Sequence, residues 1–294
     1  MSDKNQPSAL VTLLIAGGKV SAGGASNAVG ALVGGSIGGP PGAVVGSAAG
    51  AVVEYAAKAA GDLVQRRLSE REARRIGTAL YYALEESERL KEEPSFRLRK
   101  DVADAVSGST DIHSEILEGA LLVARDSYET RRLPYLGCLY ARFAYSPDVD
   151  PGTAHQVVRL SEALTFRQFC LLRVFDGKPA IALPYQTFRD RPDRIERAPT
   201  EAFDPGEPFA DLEALLQEAI DLGGRGLIVR RDGTAMLDTS DVAPGGMTLT
   251  ALGNTTHRLL ALDKMGPTEY EEVVALLARP GALAPAARAS DART

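Results

Sequence analysis

Residues 29–55 read VGALVGGSIGGPPGAVVGSAAGAVVEY, with glycine at positions 30, 34, 38, 42, 46 and 50 and a proline pair at 40 and 41. Glycine costs a helix interior about 1 kcal/mol relative to alanine, because more backbone freedom is lost on folding. A loop has no use for so regular a beat. On a helix, positions four apart share one face, so Gly30, Gly34 and Gly38, then Gly42, Gly46 and Gly50, trace a face bare of side chains. Another backbone can pack closely there. Pro40 and Pro41 cannot continue a helix, since the ring blocks the preceding turn and the residue before a proline avoids the α region. The spacing therefore predicts an antiparallel helical hairpin turning at GGPPG. At ~1.5 Å per residue the first arm, 22–38, would be about 25 Å long. That approaches the ~30 Å hydrocarbon core of a bilayer.

Around this stretch the chain is otherwise ordinary: 294 residues, 45% hydrophobic and 24% charged, with a formal charge of -6. The net acidity argues against nucleic-acid binding driven by bulk electrostatics. Cys138 and Cys170 are the only cysteines, lie in apolar helical patterns and have no metal-ligand or redox spacing, so they read as buried free thiols. The apolar run 9–16 resembles a signal-peptide core, but Asp3 beside Lys4, and Lys19 after the run, break that pattern. Cytoplasmic synthesis without cleavage is the expectation.

Four regions follow from composition and period: a glycine segment over 1–61, a helical bundle over 62–176, an α+β module over 177–279 and a tail over 280–294 too poor in apolar residues to fold. Val64, Leu68, Ile76, Leu80 and Leu84 space an amphipathic helix that Pro94 stops. Further helices begin near Thr110, run over 135–143, open at Asp150 with Pro151 in the first turn, and open at Thr165 with a Thr-x-x-Gln capping box. Beyond Gly177 come AIALPY as a strand, an arginine-rich loop containing Asp190, Asp193 and Glu196, and a helix over 209–222. GLIVRR and TAMLD flank Asp232-Gly233 as a hairpin; a helix over LTALGNTTHRLLALDKM and one capped by Thr268-x-x-Glu271 close the fold.

Residues 24–53 resemble the glycine-zipper hairpins of bacterial envelope and membrane-active proteins, in which G-x-x-x-G runs flank a GGPxGA-like turn. The resemblance implies membrane association and self-assembly, because helices in lipid associate through close backbone approach. Gly30, Gly34, Gly38, Pro40, Pro41, Gly42, Gly46 and Gly50 would carry it. Lys19, Arg66 and Arg67 flank the hairpin as residues for anionic headgroups. A glycine-packed hairpin inside a soluble assembly, or a disordered segment, remain alternatives. Residues 160–277 are loosely similar to a winged-helix domain, with Arg230, Arg231, Asp232 and Gly233 at the wing and Arg225 nearby. The candidate recognition helix, FADLEALLQEAIDLGG, carries four acidic residues and no lysine or arginine, so phosphate would be repelled.

No catalytic motif stands out. Gly34-Gly35-Ser36-Ile37-Gly38 spells G-x-S-x-G but lies inside the glycine beat rather than after a strand. His113-x-Glu115 lacks the PCxxC half of a deaminase zinc motif and reads as an exposed first helical turn. His155 and His257 lie on helices without nearby carboxylate or cysteine partners in sequence, and Tyr128, Tyr135, Tyr140 and Tyr145 read as bundle-core or edge aromatics. No metal or cofactor site is expected. The expected fold is thus mainly α: a glycine-zipper hairpin, a helical bundle and a small winged-helix-like module. The expected function is non-enzymatic: a membrane-associating, self-assembling protein at the inner membrane and a pore-forming candidate, with a stress or phage-defence effector as the role that analogy of architecture suggests. The alternatives are a soluble adaptor that binds a protein partner and a winged-helix regulator that binds DNA.

Overall fold

The computed structural model describes residues 68–100, 112–176, 209–233, 242 and 246–277. Those residues are mainly helical, with eight α-helices and one two-stranded sheet. The chain divides into two compact units, the first running to Leu164 and the second from Thr165, with Leu259–Ala261 grouping with the first.

In the first unit, α1 (Glu70–Glu92) starts at a capping box. The Ser69 hydroxyl accepts the Glu72 N–H, and the Glu72 carboxylate accepts the Ser69 N–H at 2.8 Å. The helix expected to run through Val64 and Leu68 to Pro94 is therefore broken at Ser69, which is extended (φ -65, ψ 159). Helix α2 (Ile112–Asp126), a 3-10 turn (Thr130–Arg132), α3 (Leu133–Ala144) and α4 (Pro151–Ala163) complete the unit. Asp150 caps α4 by accepting the Thr153 N–H at 3.0 Å, as the Asp-Pro pair predicts.

Contacts fix the helix directions. Ala79 of α1 lies against Gly137 of α3, and Glu86 further along α1 pairs with Arg142 further along α3, so these two run the same way. His113 at the start of α2 packs on Phe143 near the end of α3, while Arg75 of α1 donates to the Arg125 carbonyl at the end of α2. Helix α2 is thus antiparallel to both. Arg132, before α3, donates to the Ser161 carbonyl near the end of α4, so α4 is also antiparallel to α3. One end of the unit accordingly gathers the start of α1, the end of α2, the start of α3 and the end of α4.

The second unit is built around α5 (Phe166–Phe175), apolar on nearly every side and buried except at Arg167. Its Thr165–Gln168 capping box forms as expected. Helices α6 (Phe209–Gly224) and α8 (Pro267–Leu277) pack on α5 and on each other. Between them β1 (Ile228–Arg230) pairs antiparallel with β2 (Met247–Leu249), Val229 opposite Thr248. Helix α7 (Ala251–Leu259) and a 3-10 turn (Leu262–Lys264) follow.

Three local expectations change here. Leu249 belongs to β2 rather than to a helix, and α7 starts only after Thr250, whose hydroxyl accepts the Gly253 N–H at 2.9 Å. Helix α8 begins at Pro267 and is closed by Glu269 on the Gly266 N–H (3.0 Å), not by a Thr268–Glu271 box. Helix α5, grouped by sequence with the bundle over 62–176, packs in the second unit. AIALPY and TAMLD lie outside the described residues.

Candidate functional site

The candidate wing lies where α6 passes into β1. Helix α6 ends as Gly226 takes φ +72 and the Leu227 N–H returns to the Leu222 carbonyl at 2.9 Å, which aims the chain into the strand. After β1, Asp232-Gly233 makes a turn: Gly233 has φ +77 and its N–H donates to the Arg230 carbonyl at 3.0 Å. The paired strand that is described is β2. The backbone N–H of Arg231 extends that ladder to Gly246 O at 2.8 Å.

The arginines near this turn face acceptors of their own chain. Arg230 grips Asp232 through Nε (3.2 Å) and Nη2 (2.8 Å). Arg231 Nε donates to the Met247 carbonyl at 3.4 Å. Arg225 Nε donates to Asp221 Oδ2 at 2.7 Å, and the same oxygen accepts from Gln168 at 2.8 Å. Burial opposes ionisation of Asp221, but these hydrogen bonds outweigh it and hold the carboxyl below its ordinary value. Arg167 of α5 binds Glu218 of α6 in a fork, Nε at 3.0 Å and Nη2 at 2.8 Å. A phosphate approaching α6 would meet exposed Asp211 and Asp221, and guanidiniums already engaged by carboxylates. Such a surface repels polyanions.

The first unit holds a buried ionic cluster that sequence reasoning missed. Glu86, 3% exposed, accepts from Arg142 Nε at 2.5 Å and from Arg89 Nε and Nη2, both at 3.0 Å. Both guanidiniums lie over the Phe96 ring, 5.5 Å from its centroid for Arg142 and 5.9 Å for Arg89; Arg89 also pairs with Glu93. The Arg142–Glu86 pair links α3 to α1, and replacing Glu86 would take the carboxylate partner from the buried Arg142. The available signal was Glu86 standing three residues beyond Ala83 on the apolar face of α1, with Arg142 inside the apolar run of α3. Nearby, Arg99 stacks on Phe143 at 4.6 Å and donates to the Ser146 carbonyl at 3.1 Å.

The histidines divide. His113 does sit in the first turn of α2, but it is 1% exposed rather than solvated, because its ring packs 5.3 Å from Phe143. His155, without a carboxylate nearby in sequence, has one in space: Glu115 of α2 at 3.6 Å. His257 lies on α7 and is buried. Cys138 and Cys170 are buried and not joined in a disulfide. Tyr135, Tyr140 and Tyr145 are core residues, whereas Tyr128 stands 93% exposed in the turn after α2. Among the described residues, no group of His, Cys, Asp or Glu side chains is placed to hold a metal ion, and no helix is long and apolar enough to cross a membrane. The glycine and proline positions 30–50, Ser36, Lys19, Arg66, Arg67 and the 190–196 loop lie outside those residues. Comparisons with protein-family models, with curated proteins and with solved structures find no match for this chain.

Proposed function

We propose that this is a non-enzymatic, membrane-associating and self-assembling protein at the cytoplasmic face of the inner membrane. Residues 24–53 serve as the assembling hairpin, and the two folded units govern when hairpins meet. The observation that carries the reading is the four-residue glycine beat broken only by Pro40-Pro41, with no charged residue between Lys19 and Glu54. Glycine and alanine add little to insertion, so single copies insert weakly and assembly strengthens the membrane-bound state. A membrane-perturbing role in stress or phage defence is the use this plan suits. The test replaces Gly34, Gly38, Gly42 and Gly46 together by leucine. Wild type is expected to form crosslinkable oligomers and release dye from anionic vesicles, while the variant keeps its helical signal and loses both. Equal leakage from the two proteins sinks the reading.

The second reading, a soluble adaptor that binds a protein partner and oligomerises through the hairpin, is favoured by the acidic outer face of α6 and the engaged arginines beside it. An adaptor stays in the supernatant without detergent and does not float with vesicles. The same pairing disfavours DNA. Salt-sensitive duplex binding that Arg230→Ala with Arg231→Ala abolishes would revive the winged-helix regulator.

A further inference from the structure

We propose that Asp232-Gly233 is a site of spontaneous isoaspartate formation and that Arg230 sets its rate. A glycine after an aspartate has no Cβ to shield its backbone nitrogen. That nitrogen can attack the Asp232 Cγ. In this step an N–Cγ bond forms, the bond from Cγ to the hydroxyl of the neutral carboxyl breaks, and the hydroxyl leaves with the amide proton as water. Water then opens the resulting imide ring. Opening at Cγ restores aspartate, whereas opening at the Asp232 main-chain carbonyl leaves Gly233 attached through Cγ, so the backbone runs through Cβ and gains a methylene. Water is the only co-reactant.

The chain holds two Asp-Gly pairs and no Asn-Gly, and the surroundings of the two aspartates differ. Asp176 closes α5 with helical dihedrals (φ -60, ψ -13), and its N–H returns to the Leu172 carbonyl at 3.2 Å. Helical backbone turns the following nitrogen away from the side-chain Cγ, and this side chain is only 18% exposed, beside Arg173. Asp232 lies in the turn after β1 with its side chain 50% exposed. Arg231, Asp232 and Gly233 are all exposed, and a Cβ on Gly233 would meet no atom within 4 Å, so an imide has room to form. Two contacts restrain it. The Gly233 N–H donates to the Arg230 carbonyl at 3.0 Å, a bond in an exposed turn that local opening breaks. Arg230 Nε and Nη2 hold Asp232 as a carboxylate, which has no hydroxyl to lose. One arginine thus restrains both reacting groups, the nucleophile through its carbonyl and the electrophile through its guanidinium.

The test incubates the full-length protein in warm neutral buffer. Isoaspartate is read by methyl transfer from S-adenosylmethionine with an isoaspartyl methyltransferase and is placed by peptide mapping. Label is expected in the peptide containing Asp232 and absent from the peptide containing Asp176. Arg230→Ala keeps the carbonyl but removes the guanidinium, and should raise the rate about threefold to fivefold, the worth of a surface ion pair. Asp232→Glu should abolish the label, because glutamate would have to close a larger ring. Label that appears first at Asp176, or no label at Asp232 in either wild type or Arg230→Ala, overturns the site. Label at Asp232 that Arg230→Ala leaves unchanged overturns the role of Arg230.

Discussion

Replacing Gly137 by alanine sets two effects of known sign against each other. The residue sits in α3 where it crosses α1, and an added Cβ would stand 2.2 Å from the Ala79 carbonyl oxygen and 3.0 Å from the Tyr82 Cβ. Alanine would gain about 1 kcal/mol of helix propensity over glycine. The opposing atom is backbone, which cannot rotate away, so the helices must part by about 1 Å. Over-packing of that kind costs about 3 kcal/mol, and a gap of about 0.5–1 Å forfeits a quarter to a half of each dispersion contact along the seam. The seam includes fully buried Leu80, Leu136 and Leu139, together with the Glu86–Arg142 pair. The clash wins, and the net loss is about 2 kcal/mol. In a urea titration followed by far-UV circular dichroism, the first unit's midpoint should fall by about 1 M with its slope unchanged. Gly119→Ala is the matched control, because its Cβ would meet only the Val158 Cγ1 at 3.1 Å, the end of a side chain that can shift. It should lie within about 1 kcal/mol of wild type, on the stabilising side. A Gly137→Ala protein as stable as wild type, or a Gly119→Ala protein equally weakened, refutes the reasoning.

Asp150 is held below its ordinary value of 3.8, first by the Thr153 hydroxyl and then by the Thr153 N–H. A carboxylate with a depressed folded pKa lends stability that is present above the unfolded pKa and lost as pH falls through the folded one. Asp150→Asn keeps a capping oxygen but cannot titrate, so its melting temperature should change less between pH 5 and pH 2 than that of wild type. Parallel curves for the two proteins would contradict this. Tyr145 is 3% exposed, its hydroxyl has no hydrogen-bond partner among the described residues, and burial, with Glu88 nearby, pushes its pKa up to about 12. An unsatisfied buried hydroxyl costs about 1 kcal/mol or more, so Tyr145→Phe should raise stability by about that much at pH 7. Wild type should also lose stability relative to the variant between pH 10 and pH 12, where the unfolded phenol ionises before the folded one. A destabilised Tyr145→Phe protein would show that the hydroxyl has a partner.

Two helix starts were legible from a side chain reaching three residues along its own chain. Asp150-Pro151 and Thr165-x-x-Gln168 both form the caps their spacing predicts. Ser69-x-x-Glu72 carries the same signal, but the four-residue apolar beat runs through it, and a beat does not register a backbone break. Short β2 was hidden for a different reason. Met247-Thr248-Leu249 becomes a strand only because Ile228–Arg230 lies alongside it, a pairing across some twenty residues that no local pattern encodes. The Asp232-Gly233 turn was legible, since it needs only a residue tolerant of positive φ.

The candidate surfaces divide in the same way. That α6 is acidic follows from its composition, but that Arg225, Arg230 and Arg231 each face an acceptor of their own chain does not. Tyr128, expected as a core or edge aromatic, is exposed because α2 ends at Asp126, two residues before it, leaving the ring on a turn. By itself the sequence determined the helical character, the Asp150 and Thr165 caps and the glycine beat, all of which depend on interactions reaching no further than about one helical turn. Tertiary structure alone decided which helices run together, that Gly137 admits the Ala79 carbonyl, that Glu86 meets Arg142 in the core, and that Tyr128 stands exposed. Those outcomes depend on how segments fifty residues apart cross, and no short-range pattern along the chain contains that geometry.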